Sequence, residues 1–412
     1  MARNHPILEI ASVGFDAPGG FSLHDITMSV SRGEIVCLAG PSGCGKSTLL
    51  RIVAGLERVH RGTVAISGSV VADRWRAQPP ECRGVGLVFQ DYALFPHLTT
   101  LDNVKFGLSA DFGSAQERKK RAQETIEMVG LGHVANAYPH QLSGGEQQRV
   151  ALARVMAPHP PIILLDEPFS NLDVCLRQRI RDETLHLLQT HGATTVLVTH
   201  DPEEAMFMSD RIALLRDGQL VQMGRPTELY CRPMDSFVAT FFGEANRVQA
   251  RVMGGMIPTP LGSLEVADVA DGTAVEVLVR PEGLLISPQI TPGGQAIAGR
   301  TPITARVEAA RLLGRTSMIH LAVPDPQASN ADATVHFHAR MPGQFLPAQD
   351  TLIEVVFDPS QAFVFSQDGR TPLPHKAMMS GAPCTPLSVI TSGTPSPSER
   401  TVPSTRLQSE SL

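Results

Sequence analysis

Two patterns of hydrophobic and polar positions follow one another along the chain. Over residues 1–242, short apolar runs alternate with stretches of helical spacing, which predicts an α/β unit with a mainly parallel sheet. Residues 243–370 contain short alternating stretches between Gly- and Pro-rich turns, which predicts a small all-β domain. Residues 371–412 are rich in Ser, Thr and Pro and contain no Phe, Tyr or Trp, so a disordered tail is predicted there.

Local signals define the elements of the α/β unit. The apolar run 35–39 predicts a buried strand, which leads through a Gly-rich turn into a helix over 47–56. A capping box formed by Ser114 and Glu117 opens another predicted helix, which Gly130 closes. Further strands are predicted over 162–165 and 195–199, and a further helix over 174–190.

Composition narrows the classes of function. The net charge of −6 and the pI near 6.2 give no electrostatic reason to expect a nucleic-acid partner. The six cysteines are scattered without a C-x-x-C pair, which favours a reducing compartment over a disulfide framework or a zinc site. No uncharged apolar run approaches the ~20 residues that cross a bilayer. If this protein works at a membrane, we therefore expect another chain to hold it there.

A phosphate-binding loop follows the first predicted buried strand. The sequence GPSGCGKST fits the pattern G-x-x-x-x-G-K-[ST], whose glycines let backbone N–H groups converge on phosphate oxygens at a helix N-terminus. Lys46 is expected to reach the β- and γ-phosphates of ATP, and the Ser47 hydroxyl is expected to bind Mg²⁺. The thiol of Cys44 is assigned no role. The predicted nucleotide-binding residues of this loop are Gly40, Pro41, Ser42, Gly43, Cys44, Gly45, Lys46, Ser47 and Thr48.

Two carboxylates end the strand predicted at 162–165. Open α/β sheets bind ligands at the carboxyl ends of their strands, so Asp166 and Glu167 are predicted to lie at the ligand-binding edge. We expect Asp166 to steady the Mg²⁺ shell and Glu167 to polarise the attacking water as a general base. An apolar strand that ends in Asp-Glu is common in proteins, and its position after a phosphate loop is what favours catalysis here.

The segment LSGGEQQR at residues 142–149 is the most discriminating part of the sequence. Ser143 and Glu146 form a capping box, which alone indicates only the start of a helix. The double glycine Gly144-Gly145 adds a helix N-terminus that a γ-phosphate can approach closely. With this segment the sequence closely resembles the ABC ATPase family, whose signature is LSGGQ-like.

The resemblance covers the α/β unit and implies a P-loop NTPase domain with a helical subdomain at about 91–160. By this resemblance, Gln90 matches the glutamine that contacts Mg²⁺ and senses the membrane partner, and His200 matches the switch histidine at the γ-phosphate. The motif SNLD, which ends at Asp173, matches the D-loop. Phe15 matches the aromatic that stacks on adenine, with a core Phe as the alternative. Stacking needs only a π-face and contributes roughly 1–3 kcal/mol, so Phe can serve.

The resemblance also implies partners. Two copies of the chain are expected to face head to tail, so that Ser143, Gly144 and Gly145 of one copy complete the ATP site of the other. Transmembrane permease subunits are expected to hold the protein at the cytoplasmic face of the inner membrane. A periplasmic or lipid-anchored solute-binding protein is expected to act on it indirectly.

The segment 90–99 is the predicted groove for a coupling helix of the permease, and Tyr92, Phe95 and Leu98 are expected to be exposed there. The alternative is a loop packed on its own helical subdomain. The β domain resembles the TOBE-type (OB-like) regulatory domain of bacterial importer ATPases through the run Arg280-Pro-Glu282, where a structural ion pair at a turn is expected.

The sequences FPHLT at 95–99 and YPHQ at 138–141 are similar to those of ferric-iron importer ATPases, which makes Fe(III) the expected cargo. Sulfate, polyamine, thiamine and sugar importers share most of these features and remain alternatives. A non-transport ABC ATPase would carry coiled-coil insertions, zinc modules or tandem cassettes, and an exporter ATPase would normally lack the β domain. Neither pattern is found in the sequence, so an importer ATPase is predicted.

Overall fold

The computed structural model describes residues 6–286, 302–326 and 333–375. Numbered in chain order, its strands are β1 (Leu8–Asp16), β2 (Ser22–Val30), β3 (Ile35–Ala39), β4 (Arg61–Ile66), β5 (Ser69–Asp73), β6 (Val85–Val88), β7 (Ile162–Asp166), β8 (Thr195–Val198), β9 (Arg211–Arg216), β10 (Gln219–Gly224), β11 (Asn246–Arg251), β12 (Met256–Thr259), β13 (Gly262–Glu265), β14 (Ala274–Val279), β15 (Leu284–Ile286), β16 (Ile303–Leu312), β17 (Thr316–Pro324), β18 (Thr334–Pro342), β19 (Leu352–Phe357), β20 (Ala362–Ser366) and β21 (Pro372–Leu373). Its α-helices are α1 (Lys46–Ala54), α2 (Thr100–Phe106), α3 (Ala115–Met128), α4 (Gly144–Met156), α5 (Val174–Thr190), α6 (Pro202–Met208), α7 (Pro226–Cys231) and α8 (Ser236–Phe241). None of the helices in these ranges is long and apolar enough to cross a membrane.

A six-stranded sheet contains the strands that the apolar runs predicted. Its order is β10-β9-β3-β8-β7-β6, and each neighbouring pair is parallel except β9 with β10. Every residue of β3 and β7 is buried. Val36 and Leu38 of β3 belong to one hydrophobic cluster, whereas Ile35 and Cys37 belong to another, so both faces of the sheet are covered. The carboxyl ends of β3, β7 and β8 meet at one edge, and the candidate site follows them.

A separate antiparallel sheet with the order β2-β1-β4-β5 covers one side of this core. Helix α1 lies between the two sheets, because Leu49 and Ile52 share a cluster with Leu8 of β1 and Val36 of β3. The sequence pattern indicated a mainly parallel sheet and did not indicate this second one. The pairing joins segments that are distant along the chain, such as β1 with β4, which local periodicity does not report.

Helices α2, α3 and α4 pack around a cluster of their own, which includes Val104, Ile126 and Val150. The predicted start of α3 is confirmed, since the Ser114 side chain accepts a hydrogen bond from the Glu117 backbone and the Glu117 carboxylate accepts one from the Ser114 backbone.

Among the described residues from 243 onward, the regular elements are β-strands and short 3-10 turns, as the alternating stretches predicted. This region contains the sheets β11-β14-β20-β21 and β15-β19-β16-β17-β18 and the hairpin β12-β13, which share one core around Val277, Leu321 and Val355. Residues that the sequence analysis assigned to the tail belong to this fold, because β21 pairs with β20 and His375 is buried with its Nε2 2.9 Å from the Ala362 carbonyl oxygen. The rest of the predicted tail, from residue 376, lies outside the described residues.

The β region packs directly on the last helix of the α/β unit. Ala239 of α8 shares a small cluster with Leu278 and two phenylalanines of β20. Arg280 is fully buried, and its guanidinium lies 4.4 Å from the ring centroid of Tyr230. Glu282 forms an ion pair with Arg340 of β18, at 3.3 Å, so its partner lies on another strand and not within the run itself. The run Arg280-Pro-Glu282 therefore connects the two parts of the chain.

Candidate nucleotide-binding and catalytic site

Lys46 begins α1 at the end of the phosphate loop and is 5% exposed. Its Nζ donates to the carbonyl oxygens of Gly40 at 2.9 Å and Pro41 at 2.8 Å. The loop thus folds back around the ammonium group, and neutral carbonyl oxygens stabilise it. Because these partners carry no net charge, the positive charge of Lys46 is available to an anionic ligand such as a phosphate.

Two glycines make this loop geometry possible. Gly40 has φ 145°, and a Cβ built on it would lie 2.3 Å from the Leu215 carbonyl oxygen. Gly45 has φ 104°, and its Cβ would lie 2.4 Å from the Leu23 side chain. A side chain at either position would therefore clash and strain the backbone. The curled loop at a helix N-terminus is the arrangement that binds phosphate oxygens through backbone N–H groups.

Ser47 and Asp166 meet across the edge of the sheet. The Ser47 Oγ donates to the Asp166 Oδ1 at 2.7 Å. Asp166 is buried, and this burial raises the pKa of its carboxyl group, while the hydrogen bond from Ser47 opposes the rise. A hydroxyl and a carboxylate side by side are the oxygen ligands that a hard divalent cation prefers, so these residues fit the predicted metal position.

Glu167 and His200 form the second pair at this edge. Glu167 follows β7, His200 follows β8, and the His200 Nδ1 lies 3.2 Å from the Glu167 Oε2. Glu167 has φ 45°, a left-handed backbone conformation that is uncommon outside glycine and clusters at functional sites. The carboxylate is one-fifth exposed, which leaves it accessible to a water molecule. The arrangement suits a general base with an adjacent histidine.

Gln90 contacts the D-loop. Its side-chain amide donates to the Ser170 Oγ at 3.3 Å, and its backbone oxygen accepts from the Asn171 side chain at 2.9 Å. The Ser170 hydroxyl also donates to the Glu167 backbone oxygen at 3.0 Å. These contacts connect Gln90 to Glu167 through Ser170, and the described contacts of its side chain do not include Ser47 or Asp166.

The signature segment lies at the N-terminus of α4. Ser143 accepts a hydrogen bond from the Glu146 backbone and donates to the Glu146 carboxylate, which confirms the capping box. A Cβ on Gly145 would lie 2.8 Å from the Ile180 side chain, so the segment packs on α5. Asp173 caps α5 by accepting from the Leu176 backbone at 3.0 Å. Among the described residues, no hydrogen bond joins Ser143, Gly144 or Gly145 to the phosphate loop.

Phe15, the predicted adenine-stacking residue, is 7% exposed. Its ring stacks on His60, with centroids 5.0 Å apart and an interplanar angle of 20°. It belongs to the same hydrophobic cluster as Cys44 of the phosphate loop. One face of the ring is therefore occupied by an imidazole, and the core alternative for Phe15 stays open beside the stacking one.

Comparison with known proteins decides the family. The family profile described as ABC transporter matches residues 23–170. An Fe(3+) ions import ATP-binding protein of Rhizobium etli is 40% identical over 337 residues, which cover 78% of this chain and 93% of that protein. The chain belongs to the ATP-binding proteins of ABC transporters.

Other relatives of this ABC transporter ATPase are named for different cargoes. A sulfate/thiosulfate import ATP-binding protein of Chromobacterium violaceum is 43% identical over 285 residues, 68% of this chain and 76% of that protein. A spermidine/putrescine import ATP-binding protein of Nitratidesulfovibrio vulgaris is 39% identical over 313 residues, 73% of this chain and 83% of that protein. Among solved structures, cbiO1 from Clostridium perfringens, part of the ABC transporter complex cbiONQ, is 27% identical, with a TM-score of 0.51, covering 55% of this chain and 91% of that chain.

In this ABC ATPase, one predicted exposure is wrong. Tyr92 is 4% exposed, and its hydroxyl donates to the Pro168 carbonyl oxygen at 3.4 Å, beneath the D-loop. Phe95 and Leu98 are partly buried. The fully buried Asn103 organises this segment, because its side chain accepts from the Phe95 backbone and donates to the carbonyl oxygens of Phe95, Leu98 and Thr99.

The sequence analysis gave no separate role to Ser170, His60 or Asn103. Ser170 lies inside the quoted D-loop motif, and its two hydrogen bonds to Gln90 and Glu167 depend on the packing of two distant loops. His60 and Asn103 carry no motif at all. Their contacts with Phe15 and with the 95–99 segment arise only when the sheets and helices are assembled.

Proposed function

We propose that this chain is the ATP-hydrolysing subunit of an ABC importer, acting at the cytoplasmic face of the inner membrane in contact with transmembrane permease subunits. The importer names of the relatives support this assignment. The net charge of −6 argues against a nucleic-acid partner. Within the chain, we propose an ABC ATPase domain over 1–242 with a helical subdomain near 91–160, followed by a TOBE-like regulatory domain that extends from 243 through 375.

One observation gives the strongest support for a head-to-tail dimer. Lys46 and Ser47 lie at the edge of the central sheet, whereas the exposed Ser143 lies at the start of α4, where Gly145 packs on α5. A helix N-terminus with a double glycine binds an anion well. The described carboxylate at this N-terminus is that of Glu146, which accepts from the Ser143 N–H and hydroxyl as part of the capping box. A second copy of the chain, related by a two-fold axis, can bring the γ-phosphate of its bound ATP to this helix N-terminus.

The proposed chemistry is phosphoryl transfer from ATP to water. Lys46 and the loop N–H groups hold the phosphates, and Ser47, Asp166 and Gln90 hold a Mg²⁺ ion or its water shell. When bound, Mg²⁺ neutralises charge that develops on the β- and γ-phosphate oxygens. Glu167 accepts a proton from the attacking water, and His200 orients Glu167 and donates to the γ-phosphate.

The hydrogen bonds around the D-loop support a coupling route to the permease. Ser170 contacts both Gln90 and Glu167, so a displacement of one is transmitted to the other. The segment 90–99 continues from Gln90, and Asn103 gives it a fixed shape. We propose that this segment receives the coupling helix of the permease, although Tyr92 itself is buried and serves as an anchor.

The proposed cargo is Fe(III), delivered by a periplasmic or lipid-anchored solute-binding protein. Both the FPHLT and YPHQ segments and a 40% identical Fe(3+) importer relative support iron. The sulfate/thiosulfate and spermidine/putrescine relatives keep those cargoes as alternatives.

Purification from membranes in mild detergent tests the class and the cargo together. We expect a polytopic permease to co-purify and the ATPase rate of the complex to rise with Fe(III)-loaded binding protein. Stimulation by sulfate- or polyamine-loaded binding protein instead would retain the importer and exclude iron. Recovery with nucleic acid or ribosomes, and without a permease, would contradict the transport function.

A further inference from the structure

Three histidines on two neighbouring strands of the β region present their ring nitrogens to one another. His320 of β17 lies directly opposite His338 of β18, and His336 lies two residues before His338 on the same face. The His336 Nε2 is 2.9 Å from the His338 Nε2 and 3.3 Å from the His320 Nδ1. One nitrogen from each of the three rings lies within 4.8 Å of the other two.

Glu308 of β16 fixes the orientation of the middle ring. The register between β16 and β17 shifts between Val307 and Ala309, so Glu308 lies in a β-bulge, a feature that re-aims a side chain. Its carboxylate Oε2 is 2.6 Å from the His336 Nδ1. An ionised carboxylate can only accept, so the Nδ1 carries the proton and the Nε2 of a neutral His336 presents its lone pair.

We propose that His320, His336 and His338 bind one divalent first-row transition-metal ion, with Glu308 as the positioning residue for His336. Two ligands held 2.0–2.1 Å from a tetrahedral metal are about 3.3 Å apart. The distances from the His336 Nε2 to the other two rings are close to this value, and the nitrogens of His320 and His338 lie within 4.8 Å of each other. A carboxylate that accepts from the second nitrogen of a metal-binding histidine is a recurrent supporting contact. A chain of hydrogen bonds explains the cluster less well, because the single lone pair of the His336 Nε2 faces two other rings.

The chemistry of the cluster selects the class of ion. Imidazole ligands suit Zn²⁺, Fe²⁺, Ni²⁺ and Cu²⁺, whereas Mg²⁺ and Ca²⁺ prefer oxygen. The His336 side chain is 46% exposed, so the ion has a path from solvent and water can complete its shell.

The site lies beside the junction between the two parts of the chain. The His338 backbone N–H donates to the Asn246 side-chain oxygen at 2.6 Å, and the Asn246 amide donates to the His338 carbonyl oxygen at 2.8 Å. Asn246 opens β11 two residues after Glu244, which forms an ion pair with Arg340 of β18. A bound ion therefore braces β17 and β18 where they hold the segment that leaves the ATPase unit.

Metal titration of the full chain, produced without a polyhistidine tag and kept free of nucleotide, tests this site. Competition of Zn²⁺ between the protein and a chromogenic chelator is expected to give one tight site per chain that excess Mg²⁺ does not displace. Glu308→Gln is expected to weaken Zn²⁺ binding by about 10–100-fold, and His336→Ala by at least as much. The exposed His24 supplies a matched control, since His24→Ala is expected to leave the affinity unchanged.

Two further measurements keep the test decisive. Co²⁺ bound at the site is expected to show ligand-field absorption that His336→Ala abolishes and Asp166→Asn retains, which separates this site from the proposed Mg²⁺ position. Thermal unfolding without metal checks that each variant is folded. Unchanged Zn²⁺ affinity in folded Glu308→Gln and His336→Ala, or Co²⁺ absorption lost only in Asp166→Asn, would overturn the proposal. These measurements require neither ATP nor a permease, so their outcome is independent of the proposed transport function.

Discussion

The Nδ1 of His200 lies 3.2 Å from the Oε2 of Glu167, although 32 positions separate the two residues in the sequence. The contact forms because β7 and β8 are neighbouring parallel strands, and each residue follows the carboxyl end of its strand. When the Glu167 carboxylate takes up a proton, the adjacent His200 imidazole can compensate for the change in charge. In the proposed mechanism, Glu167 is the general base and His200 orients it.

Replacing Glu167 by Gln is expected to lower the ATP turnover rate by roughly 10²–10⁴-fold, because the amide cannot accept a proton from water. ATP binding is expected to persist, since Glu167 does not hold the phosphates. Phosphate release under saturating ATP and binding of a fluorescent ATP analogue measure the two effects. The exposed Glu81→Gln is the control, and a Glu167→Gln variant that turns over like the parent would remove Glu167 from the role of base.

The hydrogen bond between Ser47 and Asp166 leads to a prediction about Mg²⁺. Asp166→Asn removes the charge that orients the Ser47 hydroxyl, so the Mg²⁺ concentration for half-maximal ATPase activity is expected to rise by about 10–100-fold. Steady-state rates across a Mg²⁺ titration at fixed ATP measure it. An unchanged Mg²⁺ requirement would show that this pair does not act on the metal.

Asn103 is fully buried, and its side-chain oxygen accepts from the Phe95 backbone while its two N–H groups are shared among the carbonyl oxygens of residues 95, 98 and 99. Asn103→Ala is expected to lower the free energy of unfolding by about 2–4 kcal/mol, because buried backbone groups lose their partners. Urea unfolding measures this loss. The exposed Asn136→Ala is the matched control, and equal stability of the two variants would contradict the role given to Asn103.

Glu204 gives a pH-dependent prediction. Burial raises the pKa of its carboxyl group from an ordinary 4.5 to about 7, and its Oε1 has no hydrogen-bond partner among the described residues. The folded chain therefore retains a proton that the unfolded chain has released, so stability is lost as the pH rises from about 4.5 through about 7. The loss attributable to this group is on the order of 3 kcal/mol.

Urea unfolding of the parent and of Glu204→Gln at pH 5 and pH 8 isolates this effect. The parent is expected to lose more stability than the variant between the two pH values, and Glu203→Gln, an exposed neighbour, is expected to behave like the parent. If Glu204→Gln kept the full pH dependence of the parent, the carboxyl group would not be the cause.

Local sequence signals predicted much of the α/β unit. The phosphate loop, the buried strands β3 and β7 and the caps at Ser114 and Ser143 all depend on residues within a few positions of one another. The sequence assigned both Ser47 and Asp166 to the Mg²⁺ ion, and the structure places their side chains in contact at the edge where the parallel strands end.

Features that depend on distant contacts could not be predicted in this way. Tyr92 was predicted to be exposed in the 90–99 segment, but its hydroxyl donates to the carbonyl oxygen of Pro168, a residue distant in the sequence. The antiparallel sheet of β1, β2, β4 and β5 depends on pairing across the phosphate-loop helix. The histidine cluster requires the register of β17 with β18, which brings residues 320 and 338 opposite one another. A shift of one residue would turn these side chains to different faces.

We propose that each ATP site is shared between two copies of the chain, and mixing two inactive variants tests this sharing most directly. Lys46→Ala removes the phosphate-binding charge, and Ser143→Arg blocks the signature, so each variant alone is expected to be inactive. In a mixed dimer, the intact Lys46 of one copy meets the intact Ser143 of the other. An equimolar mixture is therefore expected to recover about a quarter of the parental ATPase rate, since half of randomly paired dimers hold one complete site of two. A mixture that stays as inactive as its components would contradict the shared site.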